Sequence, residues 1–371
     1  MTMTMRSTGI LTLALTAIGA AVALAQNEAP RLPAAPANPP APSLQSAADP
    51  GYAALIATCK TPPPGRGGRA GGPARGGGPG RGPQGPREYA VTEIPGVIAA
   101  GQKWTFVWQQ AGNNGDGIVG LNDGSLLLAQ NDSSAVLKLD KNGKPSVAYS
   151  DTHTGGALSM SPKGNLFIVE RGLHARIEQL APQRKVVTDS FQGDPIDCIG
   201  GVINDLTADS KGGVYFTMGG LFYVDPKGTV TRYGENLTTN GVILSADEKT
   251  LYVTNGPALA AFDVQKDGSL TNQREFAKLT AGGGDGSTID SQGRIYVTTA
   301  GGVEVIGPDG KNLGVIPTPR GVITCAFGGK DKKTLFILAR GAKDANGEEV
   351  ANAAQVWTIQ MVAQGYKGRM K

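Results

Sequence analysis

Asparagine and aspartate recur at one position of a repeated hairpin, where their side-chain oxygens could bind a metal ion. The clearest copy is "INDLTADSKGGVYFT" (203–217), in which Asn204 and Asp205 precede a strand, a turn and a second strand. Carboxylate and amide oxygens suit a hard divalent cation. The corresponding positions of the six hairpins are Asp116, Gly155, Asn204, Asn240, Asp285 and Thr324. Asx residues also satisfy nearby backbone amides, so each position alone has a purely structural explanation.

The spacing of the hairpins predicts the fold class. Four short strands with their turns need about 40–50 residues, the size of a propeller blade. The sequence therefore predicts an all-β fold, a six-bladed β-propeller, with "KWTFVWQQ" (103–110) closing the ring beside "QVWTIQM" (355–361). The turns are centred on Gly124, Gly164, Gly212, Lys249, Gly293 and Lys333, at successive spacings of 40, 48, 37, 44 and 40 residues.

A propeller would bring the Asx positions together. The innermost strands of all blades line the central channel, and their first residues surround one mouth of it. We therefore expect Asp116, Asn204, Asn240 and Asp285 to converge there. Two neighbouring carboxylates repel each other unless a cation or a proton intervenes, so the pattern favours a metal site at this mouth.

The chain before the propeller has two parts. Residues 1–25 have the layout of a secretory signal peptide, with Arg6 before the apolar run "ILTLALTAIGAAVALA" and cleavage expected between Ala25 and Gln26. An uncleaved membrane anchor is the alternative, but the run is short for a bilayer span. Residues 26–103 are rich in Pro, Gly and Arg and predict a mostly disordered spacer. The propeller would occupy 104–371, in a secreted or periplasmic protein with no membrane span after cleavage.

Charge and residue counts exclude several classes of function. Residues 1–88 hold eight Lys or Arg and three Asp or Glu, whereas the whole chain has a net charge of +4, so the remaining residues are close to neutral. A neutral propeller has no electrostatic surface for nucleic acid or anionic membranes. Cys59, Cys198 and Cys325 cannot form a disulfide framework; a Cys198–Cys325 pair and three separate apolar residues both remain open. With only two histidines, a zinc site built from several His is excluded.

Residues 112–340 resemble the regucalcin (senescence marker protein) and gluconolactonase family of six-bladed propellers. The motifs that carry the resemblance include "INDLTADSKGGVYFT", "TNGVILSADEKTLYVTN" and "GDGSTIDSQGRIYVTTAGGVEVIGPDGKNLG". The resemblance implies one divalent cation, with Ca²⁺ expected and Mg²⁺, Mn²⁺ or Zn²⁺ as alternatives. It implies that Asp116, Asn240 and Asp285 are the metal ligands and that Asn204 binds substrate.

Two positions depart from the family pattern. Asp116 stands where the family has a Glu, and Val202 where members acting on sugar lactones often have an Arg. Losing that guanidinium removes a donor for a polyhydroxylated substrate. Four candidate substrate-binding residues lie in or next to loops expected at the same mouth: Arg171, His153, His174 and Arg340. An ordinary solvated loop position is the alternative explanation for each of them.

The resemblance implies metal-assisted hydrolysis of a small-molecule lactone or ester, with Asp285 accepting a proton from water. We therefore expect an exported, monomeric, divalent-metal-dependent lactonase. Two alternatives remain: a non-catalytic binding propeller, and an esterase resembling strictosidine synthase or paraoxonase. The shortage of His argues against a paraoxonase-like base.

Overall fold

A computed structural model describes residues 29–33, 45–61, 63, 89–112 and 114–371. The predicted signal peptide, much of the predicted spacer and its Gly/Arg-rich tract lie outside these residues.

The protein is a six-bladed β-propeller, as the hairpin spacing predicts. In each of the first five blades four antiparallel strands follow one another outward from the axis. Blade 1 contains β2 (Gly115–Gly120), β3 (Leu126–Gln130), β4 (Ala135–Leu139) and β5 (Pro145–Tyr149). Blade 2 contains β6 (Gly155–Met160), β7 (Leu166–Glu170), β8 (Arg176–Ala181) and β9 (Lys185–Thr188).

The next blades have the same order, after a two-stranded ribbon of β10 (Ser190–Phe191) and β11 (Asp194–Pro195). Blade 3 contains β12 (Leu206–Ala208), β13 (Val214–Thr217), β14 (Leu221–Val224) and β15 (Val230–Tyr233). Blade 4 contains β16 (Thr239–Leu244), β17 (Thr250–Asn255), β18 (Ala258–Val264) and β19 (Leu270–Lys278). Blade 5 contains β20 (Ser287–Ile289), β21 (Ile295–Thr299), β22 (Gly302–Ile306) and β23 (Asn312–Ile316).

Blade 6 closes the ring with strands from both ends of the propeller. It contains β24 (Val322–Gly328), β25 (Thr334–Lys343), β26 (Glu349–Gln360) and, as its outermost strand, β1 (Thr105–Ala111). Because β1 pairs antiparallel with β26, the predicted closure is confirmed. Phe106 of β1 packs edge-to-face on Trp357 of β26, with 5.4 Å between ring centroids. The closure therefore combines a hydrogen-bonded ladder with an aromatic contact.

The core lies between adjacent blades. Tyr215 and Tyr223 of blade 3, for example, pack with Val242 and Leu244 of blade 4 in one buried cluster. Each fully buried side chain of this size contributes about 1.5–3 kcal/mol. In four blades the inner hairpin turns at the predicted glycine, which has a positive φ. In blades 4 and 6 the residues with positive φ are Glu248 and Lys332, each one position before the predicted turn residue.

Part of the predicted spacer is ordered. Residues 45–61 contain a 3₁₀ turn (Ser46–Ala48) and a short helix, α1 (Tyr52–Ile56), and they pack beside a second 3₁₀ turn (Ile196–Ile199). Cys59 forms a disulfide with Cys198. A Cys198–Cys325 pair is therefore wrong, because Cys325 is a free thiol buried between blades 5 and 6, where desolvation raises its pKa to about 12.

The segment after β26 fills the channel from the end where the inner hairpins turn. Gly365 pairs with Asp290, and Met370 pairs with Met160 at the end of β6. The buried Lys371 then lines a small cavity between the inner strands. The channel is therefore closed at the turn end and opens at the other end, the mouth formed by the first residues of the inner strands.

Candidate functional site

The Asx residues of the inner strands lie at this mouth. Asp116, Asn204 and Asp285 line one narrow cavity of about 10 Å³, room for about one water molecule. Asn240 lies next to Asn204, whose Nδ2 donates a hydrogen bond to Asn240 Oδ1 (2.8 Å). The structure thus brings all four predicted positions to one mouth. Thr324 of blade 6 lines the same cavity.

Glycine follows three of these residues because neighbouring inner strands touch at the axis. A Cβ at Gly117 would lie 2.4 Å from the backbone N of Leu158, and one at Gly241 would lie 2.1 Å from the carbonyl O of Asp285. Contacts this short to backbone cannot be relieved by moving a side chain. The Asx-Gly pairs therefore have two functions: the glycine lets adjacent blades meet, and the Asx side chain lies at the mouth.

Threonines at the ends of second strands hold these backbones in place, although they were not among the residues predicted from the sequence. Thr217 Oγ1 donates to the carbonyl O of Asn240 (2.6 Å), and Thr254 Oγ1 accepts from Asn240 N–H (3.2 Å). Thr298 Oγ1 donates to the carbonyl O of Ile323 (2.7 Å). The sequence feature that could have identified them is the final Thr of "VYFT", "LYVT" and "IYVT", which recurs in blades 3, 4 and 5.

Arg171 is a buried member of the site. Its Nη1 forms an ion pair with Asp116, and its Nη2 donates to Asn204 O (2.7 Å) and Asn204 Oδ1 (3.1 Å). Its Nε donates to Ile203 O (2.8 Å). Only 4% of the residue is exposed. Arg171 therefore links blade 1 to blade 3 directly, and it is not the solvated loop residue of the alternative interpretation.

His153 lies farther out, on the rim. Its side chain is about half exposed (55%), and its Nδ1 lies 3.1 Å from Glu170 Oε2. Burial, reinforced by the neighbouring Glu178, raises the pKa of Glu170, while Arg176 pairs with the same carboxylate (2.6 Å). His153 is thus held by a charged cluster of blade 2. It does not contact the Asx residues of the inner strands.

Asp205, which follows Asn204 in the sequence, has a structural role, because backbone N–H groups and a lysine occupy its carboxylate oxygens. Its Oδ1 accepts from Leu206 N–H (2.8 Å), and its Oδ2 accepts from Val242 N–H (2.8 Å) and Lys371 Nζ (2.6 Å). Burial lowers the pKa of Lys371, although the Asp205 carboxylate opposes that shift. The Asp205–Lys371 pair forms the floor of the cavity, a feature that the sequence analysis did not identify.

The remaining candidate positions lie outside this cavity. His174 and Arg340 are exposed, and neither lines it. A larger open groove of about 720 Å³ runs along the outer strands of blade 4, away from the axis, and is lined by residues such as Asn272 and Arg274. The chemistry-bearing side chains converge at the axis, so we assign the candidate site to the small cavity.

The fold agrees with that of known proteins. The sequence pattern of the family described as "SMP-30/Gluconolactonase/LRE-like region" matches residues 106–340. The chain belongs to this family. It is 30% identical over 217 residues to the gluconolactonase of Zymomonas mobilis, a match that covers 49% of this chain and 60% of that protein. The resemblance stated from the sequence is confirmed.

Solved structures show the same fold. The gluconolactonase of Xanthomonas campestris superposes with a TM-score of 0.61 at 22% identity, over 76% of this chain and 98% of that one. Regucalcin of Agrobacterium tumefaciens, a calcium-binding protein, superposes with a TM-score of 0.51 at 17% identity, over 68% of this chain and 93% of that one.

None of the helices in the described parts of the chain has the length and apolar character that a membrane span requires.

The donor chemistry at the mouth fits a hard divalent cation. Asp116 and Asp285 offer carboxylates, and Asn204 and Asn240 offer carboxamide oxygens, the ligand types of Ca²⁺, Mg²⁺ and Mn²⁺. Among the described residues, no three His, Cys, Asp or Glu side chains lie together in a group that could hold a metal. A cation at this mouth would therefore depend on amide oxygens as well as carboxylates.

Proposed function

We propose that the protein is an exported, divalent-metal-dependent lactonase that opens the ring of a small-molecule lactone. The proposal is carried by one observation: Asp116, Asn204 and Asp285 line a common cavity, with Asn240 hydrogen-bonded to Asn204 beside it, at the mouth of a gluconolactonase-family propeller. The calcium-binding relative supports a divalent cation, with Ca²⁺ as the first candidate.

Each residue has a proposed role. Asp116, Asn240 and Asp285 would hold the cation, which when bound would polarise the lactone carbonyl and stabilise the oxyanion that develops on it. Asp285 would accept a proton from the attacking water, a role that typically contributes about 10²–10⁴-fold to the rate. Asn204 would orient water or substrate through its amide.

The substrate we favour is less hydroxylated than gluconolactone. Val202 offers no hydrogen bond at the position where sugar-lactone members often have an Arg. Arg171 does not replace that group, because contacts to Ile203, Asn204 and Asp116 occupy most of its donors. Substrate contacts at the rim would come from the exposed His153 instead.

Export is also part of the proposal. A disulfide such as Cys59–Cys198 is typical of oxidising compartments, which supports the signal peptide predicted for residues 1–25. We propose that the mature chain acts as a monomer in the periplasm or outside the cell.

The test is a panel of aliphatic lactones and gluconolactone, assayed after chelation and reloading with Ca²⁺, Mg²⁺, Mn²⁺ or Zn²⁺. We expect activity to disappear on chelation and to return with a hard cation, with aliphatic lactones preferred. Asp285→Asn keeps an oxygen ligand but removes charge and basicity, so it should lower kcat by about 10²-fold or more at saturating metal. Asp247→Asn, at an exposed turn, is the matched control and should retain kcat.

Two outcomes would contradict the proposal in different ways. Near-normal turnover by Asp285→Asn at saturating metal would show that another group is the base. If no lactone or ester is hydrolysed with any of the four ions, the protein is not a lactonase, and a binding propeller becomes the better description.

A further inference from the structure

Blade 2 contributes to the site in a different way from the other blades. Its inner strand β6 begins with Gly155 and Gly156, where blades 1, 3, 4 and 5 have an Asx residue. Arg171, directly after the second strand β7, takes that place, because its guanidinium contacts Asp116 of blade 1 and Asn204 of blade 3. A cation of the protein itself thus occupies the blade 2 position around the mouth.

Gly156 provides the space for this guanidinium. A Cβ on Gly156 would lie 2.4 Å from Arg171 Cζ and 2.5 Å from Arg171 Nε. The backbone of Gly156 does not have the positive φ that excludes other residues. An alanine therefore fits the strand and collides only with the guanidinium among its nearest neighbours, so the glycine here serves the position of Arg171.

The contacts of Arg171 use most of its hydrogen-bonding capacity. A guanidinium has five N–H donors, and Ile203 O, Asn204 O, Asn204 Oδ1 and Asp116 each take one. At most one donor remains for a substrate. This geometry fits a residue that organises the site, and not one that recognises a ligand.

The main chain of Arg171 is also fixed from the outside. Its N–H donates to His153 O (3.1 Å), and its carbonyl O accepts from Ser46 N–H (2.6 Å) in the folded part of the N-terminal segment. Arg171 is therefore held at both ends of the residue: the rim fixes its main chain, and the Asx residues fix its guanidinium.

We infer that Arg171 is the internal counter-cation of Asp116 and that it sets the affinity of the site for divalent cations. The inference rests on the proposed metal site and adds a positioning residue to it. Arg171 holds Asp116 and Asn204 in place, and a divalent cation bound by Asp116 competes with the guanidinium for the same carboxylate. The site therefore binds the cation more weakly than its oxygen donors alone would allow.

The experiment measures metal binding directly, by calorimetric titration of the full-length folded protein with Ca²⁺ and, separately, with Mn²⁺. Arg171→Gln removes the charge, and Gly156→Ala keeps the arginine but displaces its guanidinium. Two like unit charges about 4 Å apart near a protein surface repel by more than the free energy of a tenfold change in affinity. We therefore expect each folded variant to bind the cations about tenfold or more tightly than wild type. Arg274→Gln, at an exposed ion pair of blade 4, is the control and should bind as wild type does.

Thermal unfolding of each variant identifies those that are folded and therefore informative. Tighter binding in either folded variant supports the inference, and unchanged or weaker binding in every folded variant overturns it. Absence of cation binding in wild type and in all variants also overturns it. The lactonase proposal fails separately: if the affinity gain is measured but no lactone is hydrolysed, the counter-cation stands and the proposed reaction does not.

Discussion

The two ends of the inner strands carry the same residue types in different environments. At the mouth, Arg171 links the side chains of Asp116 and Asn204, and a direct hydrogen bond links Asn204 to Asn240. At the other end, where the inner hairpins turn, aspartates accept hydrogen bonds from backbone N–H groups of their own turns. These aspartates are Asp123, Asp209, Asp247, Asp290 and Asp331.

Asp290 shows how completely a turn aspartate is satisfied. It is fully buried and accepts from Gln292 N–H (2.9 Å), Arg294 N–H (3.0 Å), Arg294 Nε (2.5 Å) and Tyr296 Oη (2.9 Å). Such a carboxylate stabilises the turn and has no capacity left for a ligand. The hydrogen-bond partners of an Asx side chain, and not its residue type, therefore distinguish a candidate ligand from a structural residue.

The largest expected effects are a loss of stability at the turn end and a loss of catalysis at the mouth. Asp290→Asn breaks a buried ion pair and should lower the free energy of unfolding by about 3–5 kcal/mol, while kcat per folded molecule stays near the wild-type value. Asp285→Asn should do the reverse, with a large loss of kcat and a small change in stability. Urea unfolding and lactone hydrolysis measured on both variants check this. A stable Asp290→Asn protein that lacks activity would show that the turn end also acts in catalysis, and the assigned roles of the two ends would be wrong.

The sequence predicted the features that depend on local periodicity. Blade number and ring closure follow from the hairpin spacing, and the placement of Asn240 and Asp285 follows from their distance to the turn. Asn204 and Asp205 directly precede β12 and both line the cavity, but only Asn204 occupies the repeated Asx position, whereas Asp205 pairs with Lys371.

The features that could not be predicted depend on tertiary packing. Arg171 reaches the mouth from the position just after a second strand, because a glycine on the inner strand leaves it room. Cys59 and Cys198 are 139 residues apart in sequence, and their pairing requires residues 45–61 to fold onto the propeller. Neither the reach of a long side chain nor a distant docking contact leaves a periodic signal.

The disulfide stabilises the mouth end through a covalent link that lies outside the inner strands. Cys198 lies six residues before Asn204 in the sequence. Removing the cross-link by Cys59→Ser should lower the free energy of unfolding by about 2–4 kcal/mol. We expect the urea midpoint of Cys59→Ser, and that of wild type treated with reductant, to lie below the midpoint of untreated wild type. Reductant should not lower the midpoint of Cys59→Ser any further. An equal effect of reductant on Cys59→Ser would contradict this.

The smallest expected effect is a pH dependence at the turn end. Lys332, in the hairpin turn of blade 6, is buried and donates from Nζ to Gly120 O (2.8 Å) at the end of the blade 1 inner strand. Burial lowers its pKa to about 8. Between about pH 8 and the ordinary lysine value near 10.4, the unfolded chain therefore holds a proton that the folded protein has released.

Stability must then rise with pH in that window, relative to a variant that lacks the amine. The free energy of unfolding of wild type minus that of Lys332→Met should increase by about 1–2 kcal/mol between pH 7.5 and 9.5, since each pH unit in the window is worth about 1.4 kcal/mol. Lys249→Met, at an exposed lysine, is the control: the free energy of unfolding of wild type minus that of this variant should not rise with pH in the same way. Lys332 lies at the turn end, so the pH profile of kcat should be the same in wild type and Lys332→Met. A shifted kcat profile would mean that titration at the turn end reaches the mouth, and the separation of the two ends would fail.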